Sequence, residues 1–226
     1  MKIVALSDLH GEVRPLRDVA TELVGADVVL LSGDITHFGG VQAAREVVRE
    51  VREYNDRLLA VPGNCDTPEA ARYLNDEGIT LDARHVVIDG LALAGVGGSL
   101  PCPGRTPNEI TEADFAARLA QAAAGIEADV PMILLTHQPP FDTAADLAGG
   151  GRHVGSNAVR AFIVERRPLV CFTGHIHEAR GQDKLDDTVV LNPGPLRRGG
   201  YAYAEVDGAS RTVRDSGVAV ASERPR

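Results

Sequence analysis

Three cysteines in 226 residues, Cys65, Cys102 and Cys171, are too few to staple a chain of this size. The chain must therefore fold on its own core, and reduced thiols are expected. No run of 18 apolar residues occurs, which argues against a membrane-spanning helix. Positive charge is also short, with 23 Lys and Arg against 32 Asp and Glu, a net charge of −9. A general binder of nucleic acid or of an anionic membrane needs a basic footprint, so both classes are disfavoured. Lysine is nearly missing, with Lys2 and Lys184 alone, a skew that carries little functional information. Met1-Lys2 runs straight into Ile3–Leu6 and Ser7-Asp8 without a signal-peptide pattern, so a cytoplasmic location is expected.

What is present is ordinary for a globular protein: 44% apolar and 24% charged residues. At about 150 residues per domain the length suits one large domain. Strand-like and helix-like segments alternate through the first two-thirds, the signature of an α/β protein. Ile3–Leu6, Asp27–Leu31 and Arg57–Val61 read as strands, with helices predicted over Val13–Val24, Val41–Tyr54 and Pro68–Glu77. His85–Ile88 and Leu91–Gly95 flank Asp89-Gly90, a strong hairpin signal. Thr111 and Ser156 are the expected N-caps of helices to about Ala124 and Arg166. Further strands are predicted at Met132–Leu135, Leu169–Phe172, Thr188–Leu191, Tyr201–Val206 and Arg211–Val220. Gly97–Asn108 and Gln138–Gly155 read as long loops, and loops of that length usually serve a site.

One pattern recurs five times: a short apolar run ends abruptly in residues able to bind a metal. The runs end in Ser7-Asp8-Leu9-His10, Ser32-Gly33-Asp34, Pro62-Gly63-Asn64, Thr136-His137 and Thr173-Gly174-His175-Ile176-His177. Ligands in α/β sheets sit beyond the carboxyl ends of strands. Five such ends would pool Asp8, His10, Asp34, Asn64, His137, His175 and His177 in one crevice. The i, i+2 spacing of Asp8/His10 and of His175/His177 points each pair one way if the backbone stays extended. Gly33, Gly63 and Gly174 each precede a candidate ligand, where a missing side chain lets the backbone turn close to an ion. Each block alone is common by chance; four of seven histidines at strand ends are not. Imidazole nitrogens with Asp and Asn oxygens suit Mn²⁺, Fe²⁺ or Zn²⁺, whereas Mg²⁺ prefers oxygen alone. Seven ligands exceed one site, and two ions sharing a carboxylate fit the count.

These blocks, in this order, resemble those of the calcineurin-like metallophosphoesterase superfamily: Asp-x-His, Gly-Asp, Gly-Asn-His-Asp/Glu, a separate His and Gly-His-x-His. The resemblance implies a four-layer α/β/β/α sandwich of two mixed sheets flanked by helices. A single domain over residues 1–221 is expected, with 222–226 a frayed tail. Carried over by position, one divalent ion takes Asp8, His10, Asp34 and His177. The other takes Asp34, Asn64, His137 and His175, with Asp34 as the bridge and a bridging water or hydroxide as nucleophile. Manganese is the first expectation, with Fe²⁺, Zn²⁺ or Ni²⁺ as alternatives. Two such ions leave the crevice with a charge of about +1, able to draw in a phosphate despite the acidic surface.

The chain departs from the pattern at Cys65, which stands where the family has a histidine; Gly63-Asn64-Cys65-Asp66 resembles smaller phosphodiesterase-type branches. A thiol there donates poorly to a leaving group, so rates should fall as the leaving-group pKa rises unless His37, three residues past Asp34, substitutes. His153, Arg105 and Arg152 lie in or near the long loops and are candidates for contact with a substrate anion. His85, before an apolar strand, reads as structural. The expected function is metal-dependent hydrolysis of a small phosphate ester, preferentially a diester, with Asp34, Asn64 and His37 as catalytic candidates. The alternative is a non-catalytic assembly module of the same fold, which loss of ligand blocks would mark. A nuclease is disfavoured by the missing basic surface. No nucleic-acid polymer and no membrane are expected as partners, and the oligomeric state stays open, a homodimer included.

Overall fold

The computed structural model describes residues 1–221; the predicted tail lies outside the described residues. Strands β1 (Lys2–Leu6), β2 (Val28–Ser32) and β3 (Leu58–Val61) run parallel, joined by helices α1 (Ala20–Val24) and α2 (Val41–Arg52). Helix α3 (Pro68–Asp76) and the hairpin β4 (Arg84–Ile88) and β5 (Leu91–Val96) lead into the second half. There α4 (Glu112–Ala123), β6 (Met132–Thr136), the two-residue strands β7 (Leu147–Ala148) and β8 (Arg152–His153), α5 (Asn157–Arg166) and β9 (Val170–Phe172) follow. Strands β10 (Gly181–Leu185), β11 (Thr188–Asn192), β12 (Gly200–Asp207) and β13 (Thr212–Val220) close the chain.

The strands form two large mixed sheets, ordered β13-β12-β1-β2-β3 and β10-β11-β9-β6-β5-β4. Alternation along each strand builds three apolar layers. On β1, Val4 and Leu6 face the first-half helices, while Ile3 and Ala5 face the other sheet. On β6, Ile133 and Leu135 fill the space between the sheets, while Met132 and Leu134 pack under α4 and α5. Both faces of the parallel strands are thus covered, which is why they read as unbroken apolar runs. The architecture is the four-layer sandwich expected. No helix among the described residues is long and apolar enough to cross a membrane.

Local chemistry fixes several boundaries. Asp89 (φ 49°) and Gly90 (φ 77°) make the tight turn of the β4–β5 hairpin. Thr111 and Asp114 form a capping box on α4, and the Ser156 hydroxyl accepts the Val159 amide on α5. Two expectations change. The predicted helix over Val13–Val24 is a 3-10 turn (Arg14–Val19) before a short α1, with Pro15 at its start unable to donate a backbone bond. The stretch Gln138–Gly155 is not plain loop, for it holds a 3-10 turn (Ala144–Asp146) and the β7–β8 ribbon.

Glu112 ties the two second-half helices together. Its carboxylate accepts the Ser156 hydroxyl (2.5 Å) and the Asn157 (2.8 Å) and Ala158 (3.0 Å) amides at the start of α5. Burial works against the charge, but these donors outweigh it and hold the group below the ordinary glutamate value of 4.5. Glu112→Ala should therefore cost about 1–3 kcal/mol in urea unfolding at pH 7. Because the folded pKa is depressed, that difference should persist above pH 4.5 and shrink as pH falls through the lowered value. A difference that does not change with pH would remove the charge from this account.

Candidate metal centre

The five blocks follow the C-terminal ends of β1, β2 and β3 in one sheet and of β6 and β9 in the other. Beyond the strands, backbone bonds keep the first two blocks side by side: Asp8 N to Gly33 O (3.1 Å) and His10 N to Asp34 O (2.8 Å). The convergence of side chains does not come from extended backbone, as the i, i+2 spacing suggested. Asp8 (φ 54°), His10 (φ 49°), Asp34 (φ 48°) and His175 (φ 67°) all sit in the left-handed region. Non-glycine residues are uncommon there, Asp and His less so than others, and such strain gathers at functional sites. A Cβ on Gly63 would collide with the amide and carboxylate of Asp34, and one on Gly174 with the Ser7 hydroxyl. Only glycine lets these loops stack so closely.

All seven candidate ligands meet, in two groups. In one, His177 Nε2 lies 3.2 Å from Asp8 Oδ1 and 3.4 Å from His10 Nε2. In the other, His137 Nε2 lies 2.9 Å from Asn64 Oδ1, and the His175 ring packs edge-on against His137 with centroids 5.0 Å apart. Asp34 stands between them. Its Oδ2 is 3.7 Å from His10 Nε2 and its Oδ1 is 3.5 Å from His137 Nε2. His137 donates from Nδ1 to the Ser32 carbonyl (2.7 Å), which turns Nε2 inward toward Asn64 and Asp34. Asp66 braces the frame from behind, accepting the Ile35, Thr36 and Gly63 amides and the Thr36 hydroxyl.

The side chains of Asp8 and His137 are fully buried, whereas those of His10 and His177 are 16% and 27% exposed. The cluster therefore opens to solvent on the His10–His177 side. Burial alone would raise the Asp8 carboxyl, but His177 and His137 outweigh it and hold it well below the usual range. The same Asp8 carboxylate raises His177. Burial depresses His10, and pushes His175 down to about 4. Burial, then the Asp34 carboxylate, raises Asp66 to about 6.

This donor set fits divalent cations. Asp8 Oδ1 and His10 Nδ1 are buried without a partner in hydrogen-bonding geometry, although His177 Nε2 is close to the former. Nε2 atoms of His10 and His177 face one another beside the Asp8 carboxylate, and imidazole nitrogens grouped with carboxylate oxygens are metal-ligand chemistry. Among the described residues, donor atoms of Asp8–His10–His177 and of Asp8–Asp34–His137 fall within 4.8 Å of one another.

A third group of the same size joins His10, His37 and Cys65. His37 is exposed at the mouth, its ring 5.4 Å from that of His10 and 4.5 Å from that of Phe38. Burial, then Asp34, keeps the Cys65 thiol protonated well above its ordinary range. Of the loops, Gly97–Asn108 packs on the Gly63–Asn64 turn, with Asn108 donating to Gly63 O (3.0 Å) and Asn64 O (3.1 Å). Gln138–Gly155 reaches the last block through Gly149 N to Glu178 Oε1 (3.0 Å). The His153 ring bonds the buried Asp146 carboxylate at 2.6 Å, and His85 bonds the Ala122 carbonyl (2.8 Å) as a structural residue. Arg105 and Arg152 are exposed. Sequence reading missed Arg197, whose charge reaches His177 from the 3-10 turn Leu196–Arg198. It also missed Asn192, whose buried amide donates to Ala145 O and Ile176 O and so anchors the last block. The sequence signal that could have found it is the Asn192-Pro193-Gly194 run at the end of β11.

The profile of the calcineurin-like phosphoesterase superfamily domain matches residues 1–208, and the chain belongs to that superfamily. It is by class a phosphoesterase enzyme. A protein of uncharacterised function from Methanocaldococcus jannaschii is 37% identical over 199 residues, 86% of this chain and 88% of its own length. A Rhodopseudomonas palustris protein named as a probable cyclic nucleotide phosphodiesterase is 29% identical over 199 residues, 78% of this chain and 72% of its own length. A crystal structure of a Thermus thermophilus protein shares the fold, with a TM-score of 0.74 at 23% identity, over 96% of this chain and 97% of that one.

Proposed function

We propose that the chain hydrolyses a small phosphodiester with two divalent metal ions, manganese first among them. The observation that carries the reading is Asp34, whose two oxygens face two separate donor groups, one holding His10 and the other His137. Asp8, His10, Asp34 and His177 would hold one ion, and Asp34, Asn64, His137 and His175 the other. Bound there, the ions would supply positive charge to clamp phosphoryl oxygens and would acidify a water for attack at phosphorus. The protein's own part is orientation and proton supply. Ser32 turns His137, the Cys65 amide holds Asp34 Oδ1 (2.8 Å), and the open His10–His177 side admits the ester. His37, exposed beside Cys65 and His10, is placed to give a proton to the departing oxygen in place of the thiol. The name of the Rhodopseudomonas relative supports a diester, cyclic nucleotides included.

Metal analysis of the purified protein, followed by a panel of monoesters, diesters and cyclic nucleotides with added Mn²⁺, tests the proposal. Two ions per chain and faster diester turnover are expected. One ion per chain would overturn the dinuclear site, and faster monoester turnover would overturn the substrate class.

A further inference from the structure

We propose that Thr106 and Glu109 form a positioning relay that fixes which end of the Asn64 amide faces the metal centre. The inference rests on the dinuclear reading above and adds to it two residues outside the five blocks. An asparagine can serve a cation only through its oxygen, yet its amide is nearly symmetric in shape, and turning it over would present the NH₂ group instead. Something must choose between the two.

The choice follows from donor and acceptor counting. Glu109 Oε1 accepts the Thr106 amide (2.7 Å), the Thr106 hydroxyl (2.9 Å) and the Cys102 thiol (3.1 Å). These donors, the Thr106 amide foremost, hold Glu109 ionised, its pKa lowered to about 2, so it can only accept. The single hydroxyl proton of Thr106 is therefore committed to Glu109. Toward Asn64 the hydroxyl has only lone pairs to offer, and Asn64 Nδ2 donates to it at 3.1 Å. With its NH₂ end held on that side, Asn64 turns Oδ1 toward His137 Nε2 at 2.9 Å. The other neighbour of Nδ2, the Cys65 thiol at 3.6 Å, is a weak acceptor and could not hold the amide alone. Asn108 locks the relay at the right distance by bonding the carbonyls of Gly63 and Asn64. The long loop Gly97–Asn108 thus reaches the candidate ligand Asn64.

Three variants read the relay. Thr106→Val keeps the shape and removes the hydroxyl. Thr106→Ser restores it. Glu109→Gln can donate to Thr106 and so frees the hydroxyl proton to point at Asn64, favouring the reversed amide. Mn²⁺ binding by calorimetry should show two ions on the native protein. In Thr106→Val and Glu109→Gln the ion on the Asn64–His137 side should weaken about 10–100-fold, as loss of outer partners typically costs. The ion on the Asp8–His10–His177 side should keep its affinity, and Thr106→Ser should behave as native. In the metal-free protein, NMR should show the Asn64 side-chain NH₂ protected from exchange in the native chain and unprotected in Thr106→Val. Equal binding of both ions by native and Thr106→Val, or equal weakening of both, overturns the relay while leaving the dinuclear reading intact. A native protein that binds fewer than two ions overturns both.

Discussion

Asp34→Asn should weaken both metal ions together and abolish hydrolysis. The change is nearly isosteric, so the loops should keep their places, but it removes the one negative charge that both donor groups share. Asparagine also has a single oxygen, and the two groups approach opposite oxygens of Asp34, at 3.7 Å from His10 and 3.5 Å from His137. The loss in affinity should exceed the about 10–100-fold that removal of an outer partner costs. His177→Ala is the contrast. His177 Nε2 lies 3.2 Å from Asp8 and 3.4 Å from His10, both in one donor group, so its loss should weaken one ion and spare the other. Anomalous scattering at the manganese edge separates the two patterns. Native metal content and activity in Asp34→Asn would sink the shared-ligand assignment.

The second large effect concerns proton supply to the leaving group. Cys65 stands where the sequence resemblance implies a histidine, and its thiol is buried and held protonated. The neighbouring His37 is exposed, and its ring nitrogen can reach within 4.8 Å of both the Cys65 sulfur and a His10 nitrogen. His37→Ala should therefore slow esters of poor leaving groups, such as alkyl diesters, by about 10²–10⁴-fold, the usual worth of general acid help. Aryl esters, whose oxygens depart without a proton, should change little. Adding Cys65→His to His37→Ala should restore much of the alkyl rate by putting an imidazole at the family position. The measurement is a leaving-group series at saturating Mn²⁺ on the native, single and double variants. If the slope against leaving-group pKa is the same in all three, neither position supplies the proton.

The convergence of the candidate ligands was legible in the sequence because these residues are tied to strand ends. An apolar run that stops at Asp, Asn or His records both a strand and the end that carries polar side chains, and five such stops point to one shared edge. The hairpin at Asp89-Gly90 and the Thr111 cap were equally plain, since each depends on local chemistry. What stayed hidden depends on distant partners. Strand β10 reads Gly-Gln-Asp-Lys-Leu, a polar edge strand that exists through its ladder to β11 and has no core pattern of its own. The β7–β8 ribbon is held by Asp146, which gathers the Asp142, Thr143 and Gly155 amides and the His153 ring. The left-handed residues at the site could not be inferred either, for nothing local demands φ above zero at His10 or His175; the packing of one loop on the next imposes it.

The order in which the chain is made has a consequence for the cluster. His10 meets His177 across 167 residues, Asn64 meets His137 across 73, and His137 meets the Ser32 carbonyl across 105. The loops bearing Asp8 and His10, Asp34, and Asn64 emerge early, yet each faces a partner synthesised much later. Asp8, His10, Asp34 and Asn64 all follow strands of the first sheet, within the first 64 residues of the chain. His137, His175 and His177 join them only when the second sheet docks and the Gly174–His177 turn arrives. Such long closures are slow to form and late to be rewarded. The full set of candidate donors therefore exists only once nearly the entire sandwich has been assembled around it.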